Sequence, residues 1–281
     1  MPSPGPATAP AWHARMLSAS TDAGSHRLFA LLHGWGVTGE SLMPLARQLC
    51  AHGACWVPDL PGFGKTPMLT EGAGSAEYAQ ALLHQPVIAE ARAAGREIVL
   101  VGHSFGGRLA LRAAAVDPEA IFAIVLIAGA GLKKPRGAVF RARSAVLKAT
   151  GRLLRHMDRL TGTALFARYA RRVGSADYRR AGRLRATLVA VVNEDLAPVA
   201  AMVRQPALLL YGREDTETPP AFGERFAALL ADGELVVLDG FGHLDILGAG
   251  AFQCAHRILT FLERKRPSRN AMRKQMGPLR S

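Results

Sequence analysis

The stretch EIVLVGHSFGGRLALRAAA, residues 97–115, constrains this chain more than any other. Aliphatic residues from Ile98 to Val101 stop at Gly102-His103-Ser104-Phe105-Gly106-Gly107, and Arg108 onward reads as a helix. An apolar run without alternation is a strand buried on both faces, as in a parallel sheet. A turn leading straight from such a strand into a helix has little room for Cβ atoms. Gly102 and Gly106 relieve that crowding around Ser104. The serine is therefore expected on a strained turn above the sheet, at a helix N-terminus.

Further strand-like runs lie at 27–33, 54–58, 121–128, 206–211 and 234–238, with helical patterns at about 41–52, 75–94, 107–116, 219–231 and 249–263. This alternation predicts an α/β fold whose right-handed crossovers build a mostly parallel central sheet flanked by helices. A pair of segments at 12–20 and 26–33, split by Thr21-Asp22-Ala23-Gly24, adds an antiparallel opening strand. Residues 133–205 show helical spacing and no strand, which predicts an inserted helical lid within a core of 26–132 and 206–263. Residues 1–25 and the tail 264–281 are expected to be largely disordered.

A serine hydroxyl needs a base to take its proton, and the base needs a group that fixes its tautomer. After a strand-turn-helix serine the acid and then the histidine follow along the chain. PALLLY is followed by Gly212-Arg213-Glu214-Asp215-Thr216-Glu217-Thr218-Pro219, and ELVVL by Asp239-Gly240-Phe241-Gly242-His243. His243 is the predicted base and Asp215 the preferred acid, with Glu214, Asp239 and Asp245 as alternatives. His103, inside the turn, is expected to be packed or to line the cleft. The Phe105 N–H, opening a helix beside the serine, is positioned to stabilise an oxyanion. A second donor is expected in LLHGWGVTG, at the Trp35 N–H, with Gly34 or Gly36 as alternatives. Asp59 in DLPGFG is read as structural, since its glycines and proline make a turn.

Charge bears on the substrate. The formal net charge of +13 is concentrated: residues 133–185 hold 16 Lys and Arg against Asp158 and Asp177, and 264–281 add seven more with no acid. The remaining chain carries −8. Such an insert is either a solvated helix face or an attractor for an anionic or carrier-bound acyl substrate or an anionic surface. No basic motif interleaved with aromatics points to specific nucleic-acid binding.

The longest apolar run, Ile121–Leu132, falls well short of the roughly 20 residues that span a bilayer. Prolines interrupt the N-terminus where a signal peptide would be apolar, so a cytoplasmic protein is expected. Cys50, Cys55 and Cys254 lack metal-ligand spacing and read as reduced thiols.

Together LLHGWG, VPDLPGFGKT at 57–66, VGHSFGG, YGREDTETP and FGH resemble the α/β-hydrolase superfamily across residues 26–132 and 206–263. The HGWG and DLPGFG blocks more loosely resemble the carboxylesterases that cleave pimeloyl-carrier-protein methyl ester. His103 and Phe105 beside the serine, and the arginine-rich insert, depart from that pattern. Dehalogenases and epoxide hydrolases of the superfamily use aspartate at the turn, which Ser104 argues against. The resemblance implies acyl chemistry on esters or thioesters with no metal or organic cofactor. C–C hydrolysis or acyl transfer on the same residues, and a non-catalytic binding module of the same fold, are the alternatives.

Overall fold

A computed structural model describes residues 11–18, 26–133, 138–166, 168 and 176–265. The chain divides into two compact units: Met1–Leu69, Ser75–Gly131 and Leu196–Ser281 form the first, and Thr70–Gly74 with Leu132–Asp195 the second.

The first unit is built on a seven-stranded sheet in the order β1-β3-β2-β4-β5-β6-β7. Its strands are β1 Ala14–Leu17, β2 Arg27–Leu32, β3 Ala54–Pro58, β4 Glu97–His103, β5 Ala123–Ile127, β6 Ala207–Gly212 and β7 Gly233–Leu238. Only β1 runs antiparallel, against β3; every other pairing is parallel. The continuously apolar strands β2, β3, β5 and β6 are buried along their whole length, as the absence of alternation demands. Edge strand β7 is half-buried over most of its length.

Helices cover the sheet. α1 Met43–Leu49 packs against the C-terminal helix Ala251–Lys265, and side chains such as Leu45, Leu49, Ile258 and Phe261 form a core with the sheet residues Phe29, Leu31, Val99 and Val125. Phe105–Val116, the helix after β4, packs against α2 Ser75–Leu83. The second unit is helical among its described residues, with Ala138–Thr161, Ala176–Arg180 and Arg185–Asn193 as its α-helices. Asp158 near the end of the longest one caps the following segment, accepting the N–H groups of Leu165 and Phe166. No helix among the described residues is long and apolar enough to cross a membrane.

Three details differ from the sequence reading. The pattern at 75–94 is two helices, α2 and α3 Pro86–Ala93, because Pro86 has no N–H to continue α2 and holds Gln85 extended (φ −70°, ψ 138°). The expectation of largely disordered residues 1–25 is corrected over 12–17: Trp12 stacks on Trp56 at 5.8 Å and donates its backbone N–H to Gln85 Oε1 at 3.0 Å, which seats β1 on the sheet edge. The C-terminal helix extends to Lys265, whose ammonium meets Asp232 at 2.6 Å, so the tail expected to be disordered begins inside a helix and otherwise lies outside the described residues.

Candidate active site

Ser104 caps the N-terminus of Phe105–Val116 with φ 49° and ψ −106°, a left-handed conformation that non-glycine residues seldom adopt. The glycines make it affordable. A Cβ on Gly102 would run into the Gly106 carbonyl, and one on Gly106 into the Leu32 carbonyl. The turn therefore presses directly against the end of β2. Its register is fixed by the Ser104 N–H, which donates to Ile127 O at 3.0 Å, and by the Gly107 N–H, which donates to Ser104 O at 3.1 Å. Phe105 is the first helical residue, so its N–H has no carbonyl within the helix to donate to.

The loop after β2 crosses the serine. A Cβ on Gly34 would stand 3.5 Å from Ser104 Cβ and 2.7 Å from His103 Nδ1, so only glycine lets the backbone approach this closely. The next residue, Trp35, packs its ring edge-on against Phe105 at 5.4 Å and Phe63 at 5.0 Å. Phe105 also meets Tyr78 at 5.3 Å, which ties its buried side chain into an aromatic cluster beneath the turn. His33 locks this loop to the next one: its Nδ1–H donates to Gly34 O at 2.7 Å and its Nε2 accepts the Leu60 N–H at 2.9 Å. Burial lowers its pKa to about 4, so the ring stays neutral.

The loops after β6 and β7 bring Asp215 and His243 together. His243 Nδ1 donates to Asp215 Oδ2 at 2.7 Å. The other oxygen, Oδ1, accepts the Glu217 N–H at 2.8 Å and the Thr218 N–H at 2.9 Å, an Asx-type turn within the loop. Burial of Asp215 works to raise its pKa, yet the bonds from His243 and Thr218 hold it below the ordinary carboxylate value. The alternative acids are engaged elsewhere: Asp239 pairs with Arg213, and Asp245 Oδ1 accepts the Gly242 N–H at 2.9 Å. Glu214 is exposed.

His103 is buried and lies 4.8 Å from the His243 ring, centroid to centroid. Its Nε2–H donates to the His243 carbonyl at 2.9 Å, tying the serine turn to a loop 140 residues away. Burial and the neighbouring His243 lower its pKa to about 4. Asp59 sits at the end of β3, where it accepts the N–H groups of Gly39 and Lys65, both at 3.0 Å.

Sequence reasoning missed Thr218. Its buried hydroxyl lies 2.9 Å from both Ala128 O and Asp215 Oδ2, and 3.2 Å from His243 Nδ1. The Asp-x-x-Thr spacing of the turn was the available signal. It also missed Ala128, whose φ of 48° at the end of β5 belongs to the carbonyl that meets this hydroxyl.

The profile of the alpha/beta hydrolase family matches residues 29–252. Among curated proteins, the pimeloyl-[acyl-carrier protein] methyl ester esterase of Xanthomonas campestris pv. campestris (strain B100) is 31% identical over 257 residues, covering 83% of this chain and 94% of that protein. Among solved structures, a thermophilic esterase from Thermogutta terrifontis superposes with a TM-score of 0.64 at 19% identity, covering 91% of this chain and 94% of that one. A lipase-esterase related protein from Clostridium acetobutylicum ATCC 824 gives 0.65 at 17% identity, covering 89% and 99%.

Proposed function

Because the chain belongs to the alpha/beta hydrolase family, we propose that it is a serine hydrolase that cleaves a carboxylic ester or thioester through an acyl-enzyme, with Ser104, His243 and Asp215 as its catalytic triad. The observation that carries the reading is the 2.7 Å bond from His243 Nδ1 to the buried Asp215, on loops adjoining a strained, helix-capping Ser104. With Nδ1–H committed to the carboxylate, Nε2 carries the free lone pair and acts as the base.

Ser104 Oγ attacks the acyl carbonyl as Nε2 takes its proton. The oxyanion of the tetrahedral intermediate accepts from the N–H groups of Phe105 and Trp35. Collapse expels the leaving group, which takes the proton back from Nε2. Water then repeats the sequence on the acyl-enzyme with Ser104 as the leaving atom. Asp215 orients the imidazole and stabilises the imidazolium without becoming protonated. The 94% coverage of the carrier-protein methyl ester esterase supports a small or carrier-bound acyl ester as substrate.

A fluorophosphonate probe tests the reading. Stoichiometric labelling of the folded protein that disappears in Ser104→Ala is the expected result. Failure of folded wild-type protein to label would move the assignment to a binding module.

A further inference from the structure

We infer that Glu217 makes the leaving-group side of this site selective by charge, accepting neutral or cationic leaving groups and rejecting anionic ones. The inference rests on the triad reading, in which His243 Nε2 hands its proton to the departing atom. That atom must come within hydrogen-bond reach of Nε2. Glu217 Oε2 stands 3.6 Å from the same nitrogen, and its side chain is 68% exposed, so the carboxylate faces the solvent side of the group that protonates the leaving atom.

The placement of Glu217 follows from the site itself. Its backbone N–H donates to Asp215 Oδ1 at 2.8 Å, so the acid that orients His243 also fixes the backbone from which Glu217 projects. The Thr218 N–H, bonded to the same oxygen at 2.9 Å, holds the next residue as well. The only cation of the loop 212–219 is Arg213, and it is occupied by Asp239. The Glu217 charge is thus not neutralised within its own loop. A phosphate-bearing thiol would leave against this carboxylate, whereas a small neutral alcohol would not.

A unit charge about 6 Å away in a water-like medium alters affinity roughly 3-fold, so cation and anion differ by about 10-fold. Three esters sharing one acyl group measure this: a trimethylammonium-ethyl ester, its neutral tert-butyl-ethyl isostere and an anionic sulfonatoethyl ester. kcat/KM is taken at low ionic strength for wild type, Glu217→Gln and Glu217→Lys. The cation-to-anion ratio is expected to fall about 10-fold in Glu217→Gln and to drop further in Glu217→Lys. Because the ratio is taken within each variant, loss of folded enzyme cancels. A ratio that stays within twofold of wild type in both variants overturns the inference. Ser104→Ala serves as the control. If it still hydrolyses the esters, the triad reading fails and takes this inference with it; if it is inert while the ratio stays constant, only the role of Glu217 falls.

Discussion

Among the described residues, two aspartates are each bonded to a histidine Nδ1, and only one pair is proposed to do chemistry. Asp59 Oδ2 accepts from His13 at 3.1 Å, and Asp215 Oδ2 from His243 at 2.7 Å. Both carboxylates accept two backbone N–H groups. Burial works to raise both pKa values, and in both the hydrogen bonds win and bring the value down. The difference lies in what surrounds the pair. Asp59 joins segments far apart in sequence, Gly39 and His13 just before β1, and its histidine is half-exposed at the sheet edge. Asp215 closes a local turn, and the backbone carbonyl of its histidine is held by His103, the residue before Ser104. An aspartate–histidine bond is therefore a means of holding an imidazole, and the pair given a role in the proposed reaction differs in that His103 ties its loop to the turn that carries Ser104.

The strongest way to break this comparison is to remove the two imidazoles in turn. His243→Ala, like Ser104→Ala, is expected to lower kcat by at least about 10⁴-fold with the circular dichroism spectrum unchanged. His13→Ala should leave ester hydrolysis within a fewfold of wild type. Comparable losses in the two histidine variants would show that the pairs are not distinguished in this way.

The carboxylates sharpen the point. Asp215→Asn keeps the shape but offers an amide where Nδ1–H needs an acceptor, and a loss of kcat of about 10³–10⁴-fold is expected. Asp59→Asn should act on stability, costing about 1–3 kcal/mol in urea unfolding through its bonds to Gly39 and Lys65. Glu214→Gln should change little, its side chain being exposed. A collapse of activity in Asp59→Asn folded to the wild-type extent would remove the structural reading of that residue.

The elements of this comparison differ in how readable they are from sequence. The serine turn was legible because sterics are local: Gly102 and Gly106 stand where neighbouring carbonyls leave no room for a side chain. The strands were legible to within a few residues because an apolar run buried on both faces has one interpretation. Position in the sequence alone favours Asp215 over Glu214. The 2.7 Å bond to His243 that separates them depends on two loops 28 residues apart meeting in space. Sequence alone places His103 as packed or lining the cleft. Its bond to the His243 carbonyl spans 140 residues and leaves no local trace. The hydroxyl of Thr218 and the carboxylate of Glu217 gain their meaning only from the ring they face. The helical periodicity running through 75–94 concealed the break that Pro86, lacking an N–H, makes between α2 and α3.

Buried histidines give the next prediction, on stability against pH. His33 and His103 have folded pKa values lowered to about 4, chiefly by burial, against an unfolded value of 6.5. Below 6.5 the unfolded chain takes up protons that the folded rings refuse. Their contribution is thus complete above pH 6.5 and lost as pH falls toward 4, about 3 kcal/mol for each ring over that window. Asp59 and Asp215, whose values are lowered, act in a separate window: their stabilisation is present above the unfolded value of 3.8 and disappears as pH falls below it through the folded values. Urea unfolding between pH 8 and 4.5 should show the histidine decline alone, and His103→Gln should reduce its slope. A flat profile over that range would mean that both rings are charged in the folded protein.

A smaller loss of catalysis concerns a side-chain hydroxyl that meets the Asp215 carboxylate itself, whereas the hydroxyl beside the Asp59 pair, Thr66 Oγ1, accepts the His13 backbone N–H at 3.0 Å. Thr218 Oγ1 is 2.9 Å from Ala128 O and from Asp215 Oδ2, but it has a single proton. Donated to Asp215, that proton stabilises the carboxylate; donated to Ala128, it leaves the hydroxyl oxygen free to accept from His243 Nδ1 at 3.2 Å. The first arrangement steadies the carboxylate that accepts the Nδ1–H, and the second lets Nδ1–H be shared between Asp215 and Thr218, so in both the hydroxyl helps to position the imidazole. Thr218→Val keeps the volume and removes that bond, while Asp215 retains its backbone donors, so the acid stays ionised and aligned. A neutral bond of this kind is worth about 1 kcal/mol, which corresponds to a loss of roughly 5–10-fold. The loss should appear in kcat with KM nearly constant, since Thr218 holds the base and not the substrate. Thr218→Ser, which restores the hydroxyl without the methyl group, should recover most of it. If serine fails where threonine succeeds, the methyl packing and not the hydroxyl positions His243, and the two aspartate–histidine pairs are then more alike in their polar bonding than the 2.7 Å and 3.1 Å distances suggest.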